Sequence, residues 1–367
     1  RPRRGAARRA AALAAGAASG YLAMRRPRRT ANHAGGTRMR AVQATGDGLD
    51  ALEAAEIADP PAPGPKELGL DILAATLNPA DLLMLEGRYG TRPPPPFIPG
   101  AEGVARVREV GAEVQGFAVG DLVIPFAGQC WAERMTTRAG AVVKLDPGID
   151  LDQAAMLKAN PATALAMLQD LVALEPGDWV AQNAANSAVG VNVIKIAKAL
   201  GLKTYNIVRR KAAARRLTAL GADMVVVHDG GGLPPAAPEA PRLALDAVGG
   251  GATDVLAELL GDGGTVVNYG LLSGEPCRMD PFHLVFRRAT LRGFWLADWY
   301  GSVSRDVLTD RYAQLTRWLA DGVVGAPVLA RYPLAQAARA VEHASKGGRD
   351  GKILLINPSH PDYDDED

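Results

Sequence analysis

Cysteine is scarce in this 367-residue chain, which contains only Cys130 and Cys277. Two thiols exclude a disulfide framework and indicate a reducing compartment. They also fall short of the usual zinc sites, because catalytic zinc needs about three protein ligands and structural zinc about four. The histidines are scattered without a pair at ligand spacing: His33, His228, His283, His343 and His360. We therefore predict no metal, so electrophilic activation has to come from hydrogen-bond donors.

Net charge and long apolar runs are lacking as well. The formal net charge is +1, which gives no global electrostatic case for nucleic acid as a partner. The alanine-rich stretch at 10–24 contains Gly16 and Gly20 and is shorter than the ~20 apolar residues that span a bilayer. We therefore expect no membrane segment. The length suggests about two globular domains.

Acidic residues are missing from the start of the chain. Residues 1–38 contain ten arginines, and the first acid is Asp47. Arginine, alanine and serine without acid are typical of a transit peptide. We favour the simpler interpretation that this stretch is a disordered basic leader or upstream sequence and that the fold begins at Met39. Abundant arginine, alanine and glycine fit a GC-rich genome, so we expect the bacterial cytoplasm, with the mitochondrial matrix as the alternative.

The part up to residue 161 is rich in glycine and proline, with short apolar runs between turn signals. Such a pattern indicates a mostly β domain. Its clearest predicted strands are Leu68–Leu73, Gly103–Val110 and Asp121–Pro125. The four prolines at 93–96 predict a stiff extended loop, because proline is excluded from helix interiors and central strands.

From residue 162 onward, strand-like and helix-like runs alternate. The predicted strands are Trp179–Gln182, Thr204–Val208, Met224–Val227, Leu243–Val248, Thr265–Asn268 and Leu291–Leu296. The predicted helices are Val189–Leu200, Ala212–Leu220, Thr253–Leu260 and Arg305–Leu319. The alternation indicates a parallel sheet with helices on both faces.

The turn after the first of these strands lies where a dinucleotide-binding fold carries its glycines. Only Gly190 is a glycine here; Ala185 and Ser187 occupy the other two positions. Amides at the helix N-terminus would face a pyrophosphate, and Asn186 and Ser187 add side-chain donors. The motif indicates a nucleotide site, with an ordinary strand–helix turn as the alternative.

Three cations, Arg209, Arg210 and Lys211, follow the second strand. An enzyme for NAD usually has a carboxylate at this point to bind the ribose hydroxyls. Cations instead match a 2′-phosphate, which arginine can bind through two parallel hydrogen bonds. Because cations are unfavourable at a helix N-terminus, their presence favours a ligand over a solvated helix start. We therefore predict NADPH as the cofactor.

Taken together, these features resemble the mitochondrial-type trans-2-enoyl-CoA (enoyl thioester) reductases of the medium-chain dehydrogenase/reductase superfamily. The likeness extends from about Met39 to Ile356. Its motifs are Asn78-Pro79-Ala80-Asp81, Glu86-Gly87-Arg88-Tyr89-Gly90, Asn160-Pro161-Ala162-Thr163-Ala164, residues 182–190 and Leu291-Arg292-Gly293-Phe294-Trp295-Leu296. Ala101 stands where zinc-using relatives have a histidine. Ala188 and the Leu271-Leu272 pair depart from the family pattern.

The resemblance implies an α/β fold with two domains. A GroES-like, mostly β catalytic domain would comprise 39–161 plus 300–367. A Rossmann domain with a doubly wound parallel sheet would be inserted at 162–299 and bind NADPH. The strand near Leu291–Leu296 would lie at a sheet edge and pair with its copy in a homodimer.

The resemblance also implies the site residues. A tyrosine in a Gly-x-Tyr-Gly stretch is the family's proton donor, and Tyr89 occupies that position. The implied NADPH contacts are Asn160, Asn186, Ser187, Ala188, Val189, Arg209, Arg210, Lys211, Tyr269, Gly270, Leu271, Leu272, Phe294, Trp295, Leu296 and Lys352.

The implied reaction is NADPH-dependent reduction of the 2,3 double bond of an enoyl thioester, in fatty acid metabolism. Hydride would reach C3, and Tyr89 would give a proton to C2, because a tyrosine with an ordinary pKa of about 10 stays protonated at neutral pH. The alternatives are an NADPH:quinone or alkenal reductase of the same fold and a non-catalytic NADPH-binding protein. A zinc alcohol dehydrogenase is disfavoured by the missing ligands.

Overall fold

The computed structural model describes residues 37–91, 93–229 and 231–363. The predicted leader at 1–38 therefore lies outside the described residues, except for its last two. No helix in the described part of the chain is both long and apolar enough to cross a membrane. Two larger sheets and a separate two-stranded sheet make up the β structure of this part.

The first part of the chain is mostly β, as predicted. Its strands are β1 (Arg38–Ala44), β2 (Leu52–Ala58), β3 (Glu67–Thr76), β4 (Gly103–Val110), β5 (Leu122–Pro125), β6 (Arg134–Arg138) and β7 (Val142–Lys144). Its helices are α1 (Pro79–Leu85), α2 (Leu151–Ala154) and α3 (Asn160–Gln169), and a 3₁₀ turn covers each of Leu49–Ala51 and Ala139–Ala141. The prolines at 93–96 lie outside helices and strands, as expected.

The middle of the chain alternates strands and helices. The strands are β8 (Trp179–Gln182), β9 (Lys203–Val208), β10 (Met224–Val227), β11 (Leu243–Asp246), β12 (Thr265–Asn268) and β13 (Thr290–Gly293). The helices are α4 (Ala188–Ala199), α5 (Lys211–Ala219), α6 (Ala252–Leu259) and α7 (Pro281–Val285). All the strands are parallel, in the order β10-β9-β8-β11-β12-β13. The predicted doubly wound sheet is confirmed.

The last part returns to the first sheet. It contains α8 (Leu296–Ser302), α9 (Arg305–Ala320), β14 (Val328–Pro333), a 3₁₀ turn (Leu334–Gln336), α10 (Ala337–Ser345) and β15 (Lys352–Ile356). Strand β15 pairs with β3, giving a seven-stranded sheet in the order β14-β15-β3-β4-β5-β7, with β6 also on β3. The parallel sheet is thus inserted between two segments that share one sheet. The predicted limits of the insertion, 162 and 299, remain a prediction.

One apolar core joins the two larger sheets. The seven-stranded sheet, which has both parallel and antiparallel pairs and is called the mixed sheet below, contributes Leu73 and Val104. The parallel sheet contributes Val180 and Leu245. Helix α3 contributes Leu165 to the same cluster. Because burial of each such side chain stabilises the fold by roughly 1.5–3 kcal/mol, the two halves hold each other in place along this core.

The prediction of a strand over Leu291–Leu296 is wrong in its second half. Strand β13 ends at Gly293, and Leu296 is already the first residue of α8. The Phe294 amide still donates to the Asn268 carbonyl at 2.8 Å, but the chain then turns at Trp295, the residue that precedes the helix. All four residues of β13 are exposed, and the strand forms one edge of the sheet, with β10 at the other.

Candidate active site

The ends of the parallel strands bring most of the predicted coenzyme residues to one edge. Carboxyl ends of parallel strands share an edge, where ligands bind in folds of this kind. Residues 186–189 follow β8, residues 209–211 follow β9, residues 269–272 follow β12 and residues 294–296 follow β13. The structure therefore groups all four predicted segments. The other three predicted residues, Tyr89, Asn160 and Lys352, belong to elements of the mixed-sheet half.

The turn between β8 and α4 is built for close approach. Ser187 caps the helix, and its Oγ accepts a hydrogen bond from the Gly190 amide at 3.1 Å. A Cβ at Gly190 would lie 2.5 Å from the Ala185 carbonyl oxygen. Gly190 is thus required for helix and strand to pack, while Ala184, at φ 45°, takes the left-handed turn usually given to glycine. As in any helix, the first amides of α4 have no carbonyl partner within the helix.

A second close approach occurs after β12. A Cβ at Gly270 would lie 2.5 Å from the Ala247 carbonyl oxygen, so glycine is required there too. Burial raises the pKa of the neighbouring Tyr269 phenol, and the Ser187 side chain opposes that rise. Tyr269 and Ser187, which are 82 positions apart in numbering, therefore lie near each other. Leu271 and Leu272 are 51% and 59% exposed and form an apolar rim beyond it.

A buried carboxylate fixes the neighbouring strand end. Asp246, the last residue of β11, accepts hydrogen bonds from Asn183 Nδ2 and Thr253 Oγ1, both at 2.6 Å. The amides of Val248 and Gly249 donate to it at 2.9 Å. The sequence analysis did not select Asp246. Its signal was a carboxylate inside an apolar run that ends a buried strand.

Of the three cations predicted to bind a 2′-phosphate, Arg210 is paired with a carboxylate, which it shares with Arg216 of α5. Arg210 and Arg216 both donate to Asp350 Oδ1, at 3.0 and 2.5 Å. Asp350 lies just before β15, and the two guanidinium groups hold its pKa below the usual range. Arg209 and Lys211 are exposed. The strand end itself carries no acid, but a residue about 140 positions later supplies one, which the sequence alone did not reveal.

Tyr89 meets Trp295 across the cleft. Tyr89 lies in the loop after α1, and Trp295 precedes α8 at the edge of the parallel sheet. The Trp295 indole donates to the Tyr89 hydroxyl oxygen at 2.8 Å, with the rings edge to face at 5.8 Å. A Cβ at Gly90 would approach the Trp295 ring to 3.2 Å, so the glycine leaves room for the indole. Two predicted site residues from opposite halves are thus in direct contact.

Asn160 and Lys352 belong to a polar network in the mixed-sheet half. Lys352 Nζ donates to the Leu77 carbonyl at 2.7 Å and to Asn78 Oδ1 at 2.5 Å. Asn160 Nδ2 donates to Asn78 Oδ1 at 3.3 Å and to Glu102 Oε1 at 3.2 Å. Glu102 was not selected from the sequence. Its signal was its place beside Ala101, in the segment where zinc-using relatives carry a ligand.

Two more charged residues complete the network. Asp81 accepts hydrogen bonds from the amides of Asn78 and Ala101, at 2.8 and 2.9 Å. Lys158 Nζ donates to the carbonyl oxygens of Ala101 and Phe126. The network therefore contains two carboxylates and two ammonium groups. Opposite charges at close range offset much of the cost of burying each one.

The ammonium of Lys352 gives a test of this burial. Burial lowers its pKa from 10.5 to about 8. Between these values the unfolded chain holds a proton that the folded chain has lost, so folding stability rises with pH in that window. We expect the free energy of unfolding of the wild type, minus that of Lys352→Met, to increase by at most about 2 kcal/mol from pH 8 to pH 10. Urea unfolding at both pH values measures it, and a difference that does not change with pH would contradict the burial of this charge.

Metal ligands are not grouped in the described part of the chain. No cluster of three or more His, Cys, Asp or Glu side chains there is arranged to hold a metal ion. Cys130 lies close to the network, and burial raises the pKa of its thiol to about 12. A thiol of that pKa is a poor ligand, because metals bind the thiolate.

Comparison with known proteins identifies the family. Residues 64–150 match the alcohol dehydrogenase GroES-like domain, and residues 188–320 match the family described as zinc-binding dehydrogenase. Human mitochondrial enoyl-[acyl-carrier-protein] reductase is 38% identical over 301 residues, which cover 79% of this chain and 80% of the relative. The chain belongs to the enoyl-[acyl-carrier-protein] reductase family. The predicted superfamily and the GroES-like plus Rossmann fold are confirmed.

Solved structures share the fold of this enoyl reductase family member. One of a putative NADPH:quinone reductase from Bacillus thuringiensis has a TM-score of 0.79 and 26% identity, and covers 87% of this chain and 99% of its own. A complex of Etr1p with NADP and crotonyl-CoA has a TM-score of 0.77 and 24% identity, and covers 87% of this chain and 100% of its own. The second likeness supports the fold alone.

Proposed function

We propose that this enoyl reductase family member uses NADPH to reduce the 2,3 double bond of trans-2-enoyl thioesters carried by CoA or an acyl carrier. The observation that carries the proposal is the contact between the Tyr89 hydroxyl and the Trp295 indole, at 2.8 Å. It brings a weak acid to the edge of the sheet where a dinucleotide would lie. The names of the mitochondrial relatives support the same reaction and its place in fatty acid metabolism.

The residues at this edge fit a phosphorylated nicotinamide dinucleotide. The amides that begin α4, together with the Ser187 side chain, suit a pyrophosphate. The close packing at Gly190 lets a ligand approach the backbone. Exposed Arg209 and Lys211 suit a 2′-phosphate, with Arg210 held beside them by Asp350. These features support NADPH over NADH.

The chain's own residues have two tasks in the reaction. When bound, NADPH supplies the hydride that reduces C3. Negative charge then develops on the thioester oxygen, where hydrogen-bond donors of the protein stabilise it. C2 needs a proton from a weak acid, which we assign to the Tyr89 hydroxyl. The Trp295 indole, by donating to the Tyr89 oxygen, holds the phenol in place and disperses charge on that oxygen after the proton has left.

A quinone or alkenal reductase is the competing function, and the Bacillus thuringiensis relative supports it. A quinone needs no acid positioned at a carbon atom. Dependence on Tyr89 therefore separates the enoyl reductase from a quinone reductase, whereas an alkenal reductase would need the same acid. Enoyl-CoA, enoyl acyl carrier and quinone are compared as substrates with the same preparation. A protein that binds NADPH and consumes none with any of the three would instead be the non-catalytic binder.

We also propose that the chain forms a homodimer through β13. Within the described residues this strand pairs only with β12, so its other edge presents unpaired backbone groups. The neighbouring α7 segment exposes apolar side chains: Phe282 is 54% exposed, Val285 64% and Phe286 68%. An apolar patch beside an open strand edge favours a second copy over solvent.

The dimer makes a direct prediction. Sedimentation of the wild type should give the mass of two chains, while Phe286→Glu combined with Leu291→Glu should give one chain, because two carboxylates would be buried unpaired in the interface. Val119→Glu is the control, since Val119 is 69% exposed and lies between β4 and β5, which belong to the other large sheet. A wild type that sediments as one chain at all concentrations would disprove the dimer.

The cellular location follows the relatives rather than the composition. The curated relatives are named as mitochondrial proteins. This supports the mitochondrial matrix, the alternative in the sequence analysis, over the bacterial cytoplasm. The basic stretch at 1–36, on which a transit peptide would depend, lies outside the described residues.

A further inference from the structure

Glu102 is a fully buried carboxylate in the mixed-sheet half, where its hydrogen bonds join the start of β4 to the starts of α1 and α3. It precedes β4 and is 0% exposed. Its Oε1 accepts from Asn78 Nδ2 at 2.7 Å and from Asn160 Nδ2 at 3.2 Å. Its Oε2 accepts from the Ala159 amide at 2.7 Å. An ionised carboxylate can only accept hydrogen bonds, so every group that faces it must present an N–H.

This requirement fixes the orientation of the Asn160 amide. Its nitrogen is directed at Glu102 Oε1 and at Asn78 Oδ1, which also accepts from Lys352. The Asn160 oxygen must therefore lie on the opposite side. Within the described residues that oxygen makes no hydrogen bond, and it is not among the fully buried polar atoms that lack a partner. It therefore keeps accessible surface and is available to accept a hydrogen bond from a ligand.

The charge of Glu102 is supported by its surroundings. Burial raises the pKa of the carboxyl, and Lys352 followed by the Asn78 hydrogen bond opposes that rise most strongly. Three N–H groups face the two oxygens, and an ionised carboxylate offers each of them an acceptor. Lys158 and Lys352 balance Glu102 and Asp81. The network therefore holds together only with an acceptor at position 102.

We propose that Glu102 is a positioning residue. It acts through Asn160, whose side-chain oxygen Oδ1 it turns toward the coenzyme. This inference rests on the proposed NADPH site. The oxygen would accept a hydrogen bond from a donor group of the coenzyme, a carboxamide N–H or a ribose hydroxyl. Glu102 itself touches no ligand. The charged network thus orients the Asn160 side chain, in the segment that resembles the one in which zinc-using relatives have a metal ligand.

Glu102→Gln tests the proposal because glutamine has one acceptor oxygen and one donor nitrogen. If its oxygen keeps the Ala159 amide, its nitrogen faces both Asn78 and Asn160. An Asn160 side chain that turns its oxygen toward this nitrogen then presents its N–H outward. We expect the Kd for NADPH, measured by fluorescence titration, to rise about tenfold, the size of one lost hydrogen bond. Asn160→Ala should weaken binding similarly. The double variant should bind no more weakly than Asn160→Ala alone.

Asp152→Asn is the matched control. Asp152 is a buried carboxylate paired with Arg331, outside the network. The Asp152→Asn substitution should lower the melting temperature without changing the Kd for NADPH. If Glu102→Gln behaves in the same way, or if its effect on Kd adds in full to that of Asn160→Ala, Glu102 is merely structural and the proposal is wrong.

A second variant covers the case in which Glu102→Gln does not fold. Glu102→Asp keeps the charge but draws the acceptor back from Asn160, so a smaller loss of affinity should again vanish in the Asn160→Ala background. These titrations contain NADPH and no thioester. A wild type that binds NADPH and fails to reduce enoyl thioesters would therefore overturn the proposed reaction and leave this test intact. A wild type that binds no NADPH would overturn both.

Discussion

Tyr89→Phe is expected to lower kcat for an enoyl thioester by about 10²–10⁴-fold, the range typical of a lost general acid. The Kd for NADPH should stay within about twofold of the wild type, because the hydroxyl contacts the Trp295 indole and, in the proposed site, would face the thioester rather than the phosphates of the coenzyme. Phenylalanine keeps the ring packing against Trp295, so the fold is preserved. Steady-state kinetics and a binding titration on the same preparation measure both quantities.

Tyr332→Phe is the control for that experiment. The Tyr332 hydroxyl is hydrogen-bonded to His343 at 2.9 Å, between β14 and α10. The Tyr332→Phe substitution therefore removes one side-chain hydrogen bond, as Tyr89→Phe does. It should leave kcat unchanged. Equal kcat values for Tyr89→Phe and wild type would remove Tyr89 from proton transfer and favour the quinone reductase, which has no need of an acid at carbon.

Replacing Arg209 and Lys211 together with glutamine is expected to raise the KM for NADPH about 100-fold and to change the KM for NADH little. Each charged hydrogen bond to a phosphate contributes roughly 1.5–3 kcal/mol, so the loss of two accounts for a change of this size or larger. Both side chains are exposed, which makes a folding defect small. Initial rates with each coenzyme at saturating substrate measure the two KM values.

The control removes two cations elsewhere, by Lys66→Gln and Arg138→Gln. Both are exposed side chains in or beside the mixed sheet. This control separates specific phosphate binding from the general effect of lowering net charge by two. Equal losses for NADPH and NADH in the Arg209 and Lys211 variant would contradict a 2′-phosphate site at the end of β9.

Periodicity predicted the inner strands well, because an inner strand of a parallel sheet needs apolar residues on both faces. The predicted inner strands at Trp179–Gln182 and Thr265–Asn268 have the observed limits. Of the two edge strands, Met224–Val227 also has its predicted limits, but β13 was predicted too long. Leu296 continues the apolar run of β13 but is the first residue of α8. An apolar run alone does not distinguish a strand from the start of a buried helix.

The candidate site divides in the same way. Segments that follow strand ends were predictable, since parallel topology alone brings residues 186–189 and 269–272 to one edge. Contacts that join distant segments were not. Asp350 reaches Arg210 across 140 positions, and Glu102 reaches Asn160 across 58. Such pairs depend on the tertiary packing of segments that are distant in sequence, which no local pattern encodes.

In the proposed reaction the chain delivers hydride and proton to a conjugated thioester, with an acid from one half of the molecule and a coenzyme held by the other. Consumption of NADPH by the wild type, with a short trans-2-enoyl-CoA and with a quinone side by side, tests this reaction most directly. We expect turnover with the thioester to exceed turnover with the quinone and to depend on Tyr89. Turnover with the quinone alone would contradict it.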